Sequence, residues 1–500
     1  MFRLRREVYL DNNATTKVAK RVQKKMAIVL NQQFGNPSSI YQTGRNAAAL
    51  IEDARKAVAK SINANTEEII FTSCATEANN HILRVLSKMK PENKRTILAS
   101  PIEHPSVKNT LASLEQNGFI IRFFPVDNKG RAVIHKLETL IDRQTFLICC
   151  MLVNNELGTI QDLTSISRIA KKHKLLLFSD CVQAIGKIPL DIKSLAIDYA
   201  SFSAHKLHGP KGVGALYVRQ GAPLAPFILG GHQEQERRAG TESVHNIVGF
   251  GEACWAVPDL LTRMAKVSHI RNRFLDGLKE IKPELIVNTP LENAISNTLN
   301  ITFPGVNNAE FMAVMDLHGI CVSAGSACSS AENEPSHVLK AIGLSDTEAQ
   351  ETIRFSLSTE TTRKEIDYAL RIIKEYAEGR MPTVNILKAT HVNRDFLKND
   401  GNFILDIRFN YERALLKGLP NSHEVSILSF KKYIHQFPKD KNILVVCMGG
   451  ANATAFAYLL RDKGYKNISL LMGGVIAWRI AQPDLYSEMA GSNIIRLLPE

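Results

Sequence analysis

The feature that most constrains the fold is an alternation of strand-like and helix-like segments over residues 14–260. Several strand-like runs are apolar on both faces, and amphipathic stretches such as 165–174 separate them. Strands that are buried on both faces are typical of a mainly parallel sheet covered by helices. We therefore predict an α/β fold, whose strand-like runs are EIIFTS (68–73), RTILAS (95–100), FLICCMLV (146–153), LLLFSD (175–180) and YASFSA (199–204).

The rest of the chain divides into two smaller parts. Residues 262–380 predict an α+β unit, with a long helix near its start and a closing helix near 363–378. Gly and Pro in GRMPTVN (379–385) indicate a linker. The predicted domains are 1–380 (a large part at about 14–260 and a small part at about 1–13 and 261–380), a linker at 381–388, and an α/β domain at 389–500.

Composition excludes several classes of protein. The 500 residues include no apolar run long enough to span a bilayer, and the N-terminus has no apolar signal-peptide region, so we expect a cytoplasmic protein and no membrane partner. The eight cysteines are scattered without metal-ligand spacing, so we expect neither a disulfide framework nor a metal site. The net charge of +13 is spread over the chain without a recognisable RNA-binding motif, so we expect no direct nucleic-acid binding.

The strongest local signal is SFSAHKLHGPKGVGALYV, at residues 201–218. A strand ends in Ser203, His205 and Lys206, and a glycine-rich turn follows. A lysine just beyond a strand can form a Schiff base with a cofactor aldehyde, while Ser and His can hold the cofactor's phosphate. The alternative is a surface lysine in a glycine-rich loop, and Gly209–Gly212 alone would be weak evidence.

Four other segments carry suitable groups just after predicted strands. Asp180 can keep a pyridine nitrogen protonated, and Gln183 can hydrogen-bond a phenolic oxygen. Thr76 lies where a strand gives way to a helix N-terminus, which is a ready phosphate site, although a plain N-cap is the alternative. His104 can stack on a ring and move protons, and Asn155 follows another strand. The carboxyl ends of parallel strands form the ligand-binding edge of such sheets.

Together with Arg238–Thr241, these motifs resemble fold-type I, class V enzymes that use pyridoxal 5'-phosphate (PLP), most closely the cysteine desulfurases of the NifS/IscS kind. The resemblance runs from about Val8 to about Glu378. It implies a homodimer in which Lys206 is the Schiff-base lysine, His104 is an acid/base, and Thr241 comes from the second subunit. Cys74 departs from the pattern, where a small residue is expected. The cofactor-binding residues implied are Ala75, Thr76, His104, Asn155, Asp180, Gln183, Ser203, His205, Lys206 and Thr241.

A segment rich in Ser, Ala and Gly, VSAGSACSSAENEPSHVL (322–339), predicts a loop that carries Cys328. A thiolate on such a loop can attack a substrate sulfur and carry it away. The loop resembles that of the group I desulfurases, which implies that Cys328 takes the sulfur of L-cysteine as a persulfide and that alanine leaves. By the same resemblance Arg354, in TIRFSLS (352–358), binds the substrate carboxylate, with a structural salt bridge as its alternative role, and Asn155 contacts substrate or cofactor.

Residues 386–500 resemble a single rhodanese domain, in which Cys447 opens the active loop between a strand and a helix. The family loop usually carries an arginine five positions after its cysteine and often one directly after it. Here Asn452 and Met448 occupy those positions, which puts thiosulfate chemistry in doubt. We expect Cys447 to act as a sulfur carrier, and the alternative is a docking domain.

The sequence thus predicts a PLP-dependent cysteine desulfurase that delivers sulfur to acceptor proteins of iron–sulfur cluster assembly or of tRNA or cofactor thiolation. Selenocysteine lyase, another class V activity such as an aminotransferase, and a sulfur-relay scaffold without turnover are the alternatives. Cys328 on a long loop argues against an aminotransferase. The presence of Lys206, Asp180 and His104 argues against a scaffold. The sequence does not identify the sulfur acceptor.

Overall fold

The computed structural model describes residues 7–325, 335–380, 385–425, 430–449, 451–489 and 495–496. Its strands are β1 (Val8–Tyr9), β2 (Ile69–Thr72), β3 (Thr96–Ala99), β4 (Ile120–Phe123), β5 (Thr145–Cys149), β6 (Leu176–Asp180), β7 (Tyr199–Ser203), β8 (Gly214–Val218), β9 (Ile286–Val287), β10 (Thr298–Thr302), β11 (Ile320–Cys321), β12 (Thr352–Ser356), β13 (Asn385–Leu387), β14 (Asn402–Asp406), β15 (His423–Glu424), β16 (Asn442–Val446), β17 (Ile468–Leu471) and β18 (Ile495–Arg496).

The α-helices are α1 (Lys20–Gln32), α2 (Gln42–Ser61), α3 (Ala75–Met89), α4 (Pro105–Gln116), α5 (Ile134–Thr139), α6 (Leu163–Lys172), α7 (Val244–Trp255), α8 (Val257–Ile281), α9 (Asn308–Leu317), α10 (His337–Ala341), α11 (Asp346–Gln350), α12 (Arg363–Ala377), α13 (Arg394–Lys398), α14 (Asn410–Leu415), α15 (Phe430–Tyr433), α16 (Ala451–Asp462), α17 (Gly474–Ala481) and α18 (Pro483–Met489). Within the described ranges, no helix is both long and apolar enough to cross a membrane.

The chain folds into two compact units. The N-terminal unit comprises Val8–Gly305 and Cys321–Tyr368, and the C-terminal unit comprises Met1–Glu7, Val306–Ile320 and Ala369–Glu500. The predicted linker at 381–388 is interrupted by a strand, because Asn385–Leu387 pairs with β17 in parallel. The adjacent apolar residues Ile386 and Leu387 are partly buried in this pairing, opposite Leu470 and Leu471.

The N-terminal unit is built on a seven-stranded sheet with the order β2-β8-β7-β6-β5-β3-β4. All neighbouring pairs are parallel except those of β8, which runs antiparallel to both β2 and β7. The predicted α/β class and mainly parallel sheet are therefore confirmed. Alternate residues of a strand enter two separate apolar clusters on opposite faces: Leu177 joins one, and its neighbour Phe178 joins the other. This two-sided burial explains why the strands read as continuous apolar runs.

A second, antiparallel sheet in this unit has the order β12-β10-β9, with Thr298 opposite Ser356 and Thr302 opposite Thr352. Its strand β12 carries Arg354, and Ser323 is bridged to the same residue on the other side. The sheet therefore brings the segment before residue 326 next to Arg354.

The C-terminal unit contains a six-stranded parallel sheet with the order β13-β17-β16-β14-β15-β18. Its central strand β16 contributes residues to two apolar clusters on opposite faces of the sheet, Val445 to one and Leu444 to the other. Cys447 follows this strand directly, and α16 begins a few residues later. The predicted short α/β alternation is confirmed.

Candidate active site

The seven-stranded sheet gathers polar side chains at one edge. Strands β2, β3, β5, β6 and β7 point the same way, because β2 and β7 both run antiparallel to β8 and the others are parallel to β7. A cavity of about 820 Å³, including its mouth, opens at their carboxyl ends. Its walls are formed by Asn13, Ala14, Cys74, Ala75, Thr76, His104, Ser106, Met151, Asn155, Asp180, Val182, Gln183, Ser203, His205, Lys206 and Arg354.

One end of the cavity is the N-terminus of α3. This helix begins at Ala75, directly after β2, and its N-cap residue Cys74 makes no capping hydrogen bond with its side chain. The first amide groups of a helix have no intrahelical acceptor, and together with the helix dipole they favour an anion. Ser203 and His205 line the same cavity. The donor set at this end therefore suits a phosphate group.

Asp180 is a buried carboxylate at the end of β6, with 5% of its surface exposed. Its Oδ2 accepts a hydrogen bond from the side-chain amide of Asn79 at 3.1 Å, and its Oδ1 accepts one from the backbone N–H of Val182 at 3.0 Å. A buried carboxylate costs least when it faces a cationic group. A protonated heterocyclic nitrogen fits this position.

Lys206 lies just past β7, and its amine is held by the N-terminal segment. Its Nζ donates to the carbonyl oxygens of Asn13 at 2.6 Å and of Ala14 at 2.8 Å. That segment is tied to the same turn, because the Thr16 hydroxyl donates to the His205 carbonyl at 2.9 Å. The amine of Lys206 is thereby kept inside the cavity.

His104 caps α4, and its hydrogen bonds define its tautomer. Its Nδ1 accepts from the backbone N–H of Ser106 at 3.2 Å and contacts the Ser106 hydroxyl at 2.8 Å. A backbone N–H can only donate, so the neutral ring carries its proton on Nε2. Burial lowers the pKa of His104, and the charge of Lys206 adds to this while Asp180 opposes it. The ring is therefore neutral at physiological pH.

His205 is also neutral. Burial lowers its pKa to about 4, with further lowering from the positive charges of Lys206, Lys211 and Lys187. Its Nδ1 is 3.1 Å from the hydroxyl of Thr15. An approaching phosphate would reverse the sign of this local field.

Arg354 is 1% exposed and lines the cavity from β12. One guanidinium nitrogen pairs with Asp11 Oδ1 at 2.7 Å, and another donates to the Asn155 carbonyl at 3.1 Å. Its Nε has no hydrogen-bond partner within the part of the chain that the structure describes. Arg354 thus forms the structural salt bridge considered above and also faces the cavity.

Known proteins resemble the chain over the region that builds this cavity. A profile described as aminotransferase class-V matches residues 8–369. A cysteine desulfurase IscS from Dictyoglomus turgidum is 39% identical over 376 residues, which are 75% of this chain and 95% of that protein. The cysteine desulfurase NifS of Azotobacter vinelandii is 38% identical, over 73% of this chain and 91% of that protein.

The chain belongs to the cysteine desulfurase family. A solved structure of a NifS-like protein matches the desulfurase-family region at 40% identity with a TM-score of 0.71, covering 75% of this chain and all of that one. The structure of SspA in complex with cysteine matches at 36% identity with a TM-score of 0.63, covering 71% of this chain and 99% of that one. A rhodanese-like domain profile matches residues 391–481. The resemblances stated from sequence are confirmed.

The desulfurase cavity collects every predicted PLP-site and substrate residue except Thr241. Thr241 is exposed and lines two other depressions on the same chain. Cys328 lies outside the described residues. Cys447 is in the C-terminal unit, where it is 2% exposed.

Three titratable residues that the sequence motifs did not single out, Lys187, Glu103 and Glu156, support the cavity. Lys187 donates to Asn13 Oδ1 at 3.1 Å and to the side-chain oxygen of Gln183, so the Gln183 amide nitrogen faces the other way and donates to the Asn13 carbonyl. Glu103 and Glu156 are each 1% exposed. The two glutamates directly adjoin His104 and Asn155, so their positions in the motifs were the available signal.

Proposed function

We propose that the chain is a PLP-dependent cysteine desulfurase that converts L-cysteine to L-alanine and carries the sulfur on Cys328. The observation that carries the proposal is the cavity in which Lys206, Asp180 and His104 converge beside an uncapped helix N-terminus. Membership of the desulfurase family supports the same chemistry. In the balanced reaction the Cys328 thiolate attacks the sulfur of L-cysteine and forms an S–S bond as the C–S bond breaks. The electron pair of the C–S bond stays with the β carbon, which gains the proton lost by the thiol, so cysteine and thiol yield alanine and a persulfide.

The polar and charged groups that line the cavity match the phosphate, the ring nitrogen, the phenolic oxygen and the aldehyde of PLP. The N-terminus of α3, with Ala75 and Thr76, would hold the phosphate together with Ser203 and His205. Asp180 would pair with the ring nitrogen, Gln183 would donate to the phenolic oxygen, and the amine of Lys206 would hold the aldehyde carbon. When bound, PLP supplies an electron sink that weakens bonds at the α and β carbons of an amino acid.

The chain's own groups would then move the protons. Lys206 carries an amine that its two carbonyl acceptors keep in the cavity, and the neutral His104, which lines the same cavity, carries an Nε2–H. A neutral amine can take a proton from the substrate, and the imidazole can return a proton from Nε2 once its Nδ1 has itself been protonated. We assign Lys206 and His104 as the acid/base pair.

Arg354 and Asn155 would bind the carboxylate of L-cysteine. The guanidinium has a buried Nε without a partner among the described residues, which a carboxylate oxygen would satisfy. The Asn155 carbonyl holds both Arg354 and Asn13, so the backbone of this turn orients the substrate-binding groups.

A homodimer would complete the site. Thr241 lies outside the cavity of its own chain, and it shares a depression with Leu30 and Phe34. These two apolar side chains are 61% and 87% exposed, which is unusual for a surface without a partner. We propose that a second copy covers this surface and thereby brings its Thr241 to the phosphate.

The rhodanese-like domain would receive sulfur from Cys328 at Cys447 and pass it to acceptor proteins. Donor and carrier are fused in one chain, which raises their effective concentration. Iron–sulfur scaffolds and thiolation enzymes are the classes of acceptor that use a persulfide.

Two variants test the proposal. Lys206→Ala should abolish both the visible absorbance of bound PLP and alanine production, whereas Lys211→Ala, an exposed lysine of the same turn, should preserve both. An unchanged absorbance in Lys206→Ala would refute the assignment.

Cys328→Ser should retain PLP and lose persulfide formation. Sulfide release at the wild-type rate from Cys328→Ser would show that another thiol acts, with Cys74 in the cavity wall as the first to test. A keto acid in place of alanine in the wild type would indicate an aminotransferase.

A further inference from the structure

Glu156 lies where the two ends of the Cys328 segment meet. Its side chain is 1% exposed, and its Oε2 accepts a hydrogen bond of 2.6 Å from the hydroxyl of Ser336. Gly325 lies beside the same carboxylate, because a Cβ added there would be 3.1 Å from Glu156 Oε2 and 3.5 Å from the Cβ of Ser336. The last residue before the segment therefore lies beside the carboxylate to which one of the first residues after it is hydrogen-bonded.

Each end is also fixed to a wall of the cavity. On the first side, the backbone N–H groups of Ser323 and Arg354 donate to each other's carbonyls at 3.2 and 2.6 Å, and the Ser323 hydroxyl donates to the Gly325 carbonyl at 3.1 Å. On the second side, a ring nitrogen of His337 lies 2.9 Å from the carbonyl of Glu103, the residue before His104.

Gly325 is conformationally required at this junction. Its φ of +88° lies in the left-handed region, which other residues rarely adopt, and a side chain would also crowd Glu156. The Ser336 hydroxyl donates to a buried side-chain oxygen at 2.6 Å, and loss of this donor would leave that buried acceptor without its partner. The junction is thus built to keep the two ends together.

We propose that Glu156 is a positioning residue that clamps the two ends of the Cys328 segment, Gly325 and Ser336, beside the substrate-binding turn. This inference rests on the proposed function for its consequence, which is the delivery of the Cys328 thiol to the substrate sulfur. Three peptide units separate Cys328 from Gly325, and each spans at most about 3.6 Å. The position of Gly325 therefore fixes the point from which the Cys328 thiol must reach the substrate.

The first test measures the clamp itself, without any turnover. Glu156→Ala removes the acceptor and Ser336→Ala removes the donor, and both should speed amide hydrogen exchange at residues 323–325 and 336–337 in the full-length, PLP-loaded protein. Ser345 and Glu348 provide the matched control, because their exposed side chains form the same kind of bond at 2.6 Å on α11. Glu348→Ala should leave exchange at the clamp unchanged.

The second test distinguishes misplacement of the Cys328 thiol from a general loss of catalytic activity. Exchange of the α-hydrogen of L-cysteine with D2O reports proton transfer in the cavity, and peptide mass spectrometry reports the persulfide on Cys328. In Glu156→Ala the persulfide should form on the order of 10- to 100-fold more slowly, because misplacement of a reacting group by about 1 Å has that effect. The α-hydrogen exchange should remain within about threefold of wild type. Glu156→Gln, which keeps an acceptor, should restore most of the persulfide rate.

The outcomes are distinguishable. Unchanged amide exchange in both variants, or an equal loss of α-hydrogen exchange and persulfide formation, overturns the clamp. If wild type forms no alanine, the proposed function fails, and the amide exchange alone decides whether Glu156 holds the two ends.

Discussion

Glu103 offers a sharp test of the electrostatics behind the cavity. Its carboxyl group is 1% exposed, its Oε1 accepts from the backbone N–H of Met151 at 2.6 Å, and its Oε2 has no partner within the described ranges. Burial raises the pKa of Glu103 to about 8, and the negative charge of Asp180 adds to this. The group is therefore protonated in the folded protein at neutral pH. Glu103→Gln replaces it with a neutral side chain of the same shape.

The magnitude follows from proton linkage. Between the ordinary glutamate pKa of about 4.5 and the raised value of about 8, the folded state binds a proton that the unfolded state has lost. Stability contributed by this group is therefore complete below pH 4.5 and is lost as the pH rises to 8. A difference of about 3.5 units at about 1.4 kcal/mol each corresponds to about 5 kcal/mol.

The assay compares thermal unfolding of wild type and Glu103→Gln, loaded equally with cofactor, from pH 5 to pH 9. An unfolding entropy of about 2.1 cal/mol/K per residue over roughly 370 residues converts 5 kcal/mol to about 6 °C. We expect nearly equal midpoints at pH 5 and an advantage of 4–6 °C for Glu103→Gln above pH 8. Glu115→Gln, an exposed position on α4, controls for the loss of one acidic group. A difference between the two proteins that does not change with pH would refute a protonated Glu103.

Two further predictions concern residues of the cavity wall. Lys187→Met removes the donor that orients the Gln183 amide. Because this change costs about one hydrogen bond, the affinity for PLP, measured by fluorescence titration, should fall roughly 5- to 10-fold. An unchanged affinity would show that Lys187 does not contribute to cofactor binding. Because the pKa of His205 is lowered to about 4, the cofactor-free protein should lose about 1–2 kcal/mol of stability, after allowance for solvent screening, as the pH falls from 6.5 to 4. His205→Asn should lack that dependence on pH in the same unfolding assay, and an identical slope would contradict it.

The residues at the strand ends could be predicted because the parallel arrangement of the strands by itself brings them together. Once β3, β5, β6 and β7 are parallel neighbours, whatever follows them must meet at one edge. Asp180, His104 and Lys206 are separated by tens of residues in the sequence, and the order of the strands alone brings them to one cavity.

The supporting contacts could not be predicted in the same way. Lys206 is held by the carbonyls of Asn13 and Ala14, and a backbone acceptor has no residue type that a sequence pattern could single out. From the sequence alone, Lys187 cannot be distinguished from an ordinary polar residue that follows a helix-like turn. Glu156 acts on partners that lie more than 160 positions further along the chain. Long-range pairing of this kind depends on where loops return to the sheet, which local periodicity does not encode.

The rhodanese-like loop leads to the last prediction. The backbone N–H groups of Val475 and Ile476 donate to the carbonyls of Cys447 and Met448 at 3.0 and 3.2 Å. Gly474 permits this approach, since a Cβ there would lie 2.3 Å from the Cys447 carbonyl oxygen. The backbone that carries the thiol is therefore fixed, and the charge around it depends on the side chains that follow.

Asn452 lies in the first turn of α16, where the rhodanese pattern usually has an arginine. Thiosulfate is a dianion, so the absence of this arginine predicts negligible thiosulfate:cyanide transfer by the wild type. A persulfide donor brings less charge and needs no such residue, so isotope-labelled sulfur should still appear on Cys447 after cysteine turnover and be absent in Cys328→Ser. Asn452→Arg should raise thiosulfate:cyanide transfer on the order of 10- to 100-fold, which is the worth of one charge-assisted hydrogen bond of about 1.5–3 kcal/mol. If Asn452→Arg gains no thiosulfate activity while Cys447 carries the label, then the missing charge does not set donor preference. If Cys447 never carries label in the wild type, the domain is a docking module and the relay is wrong.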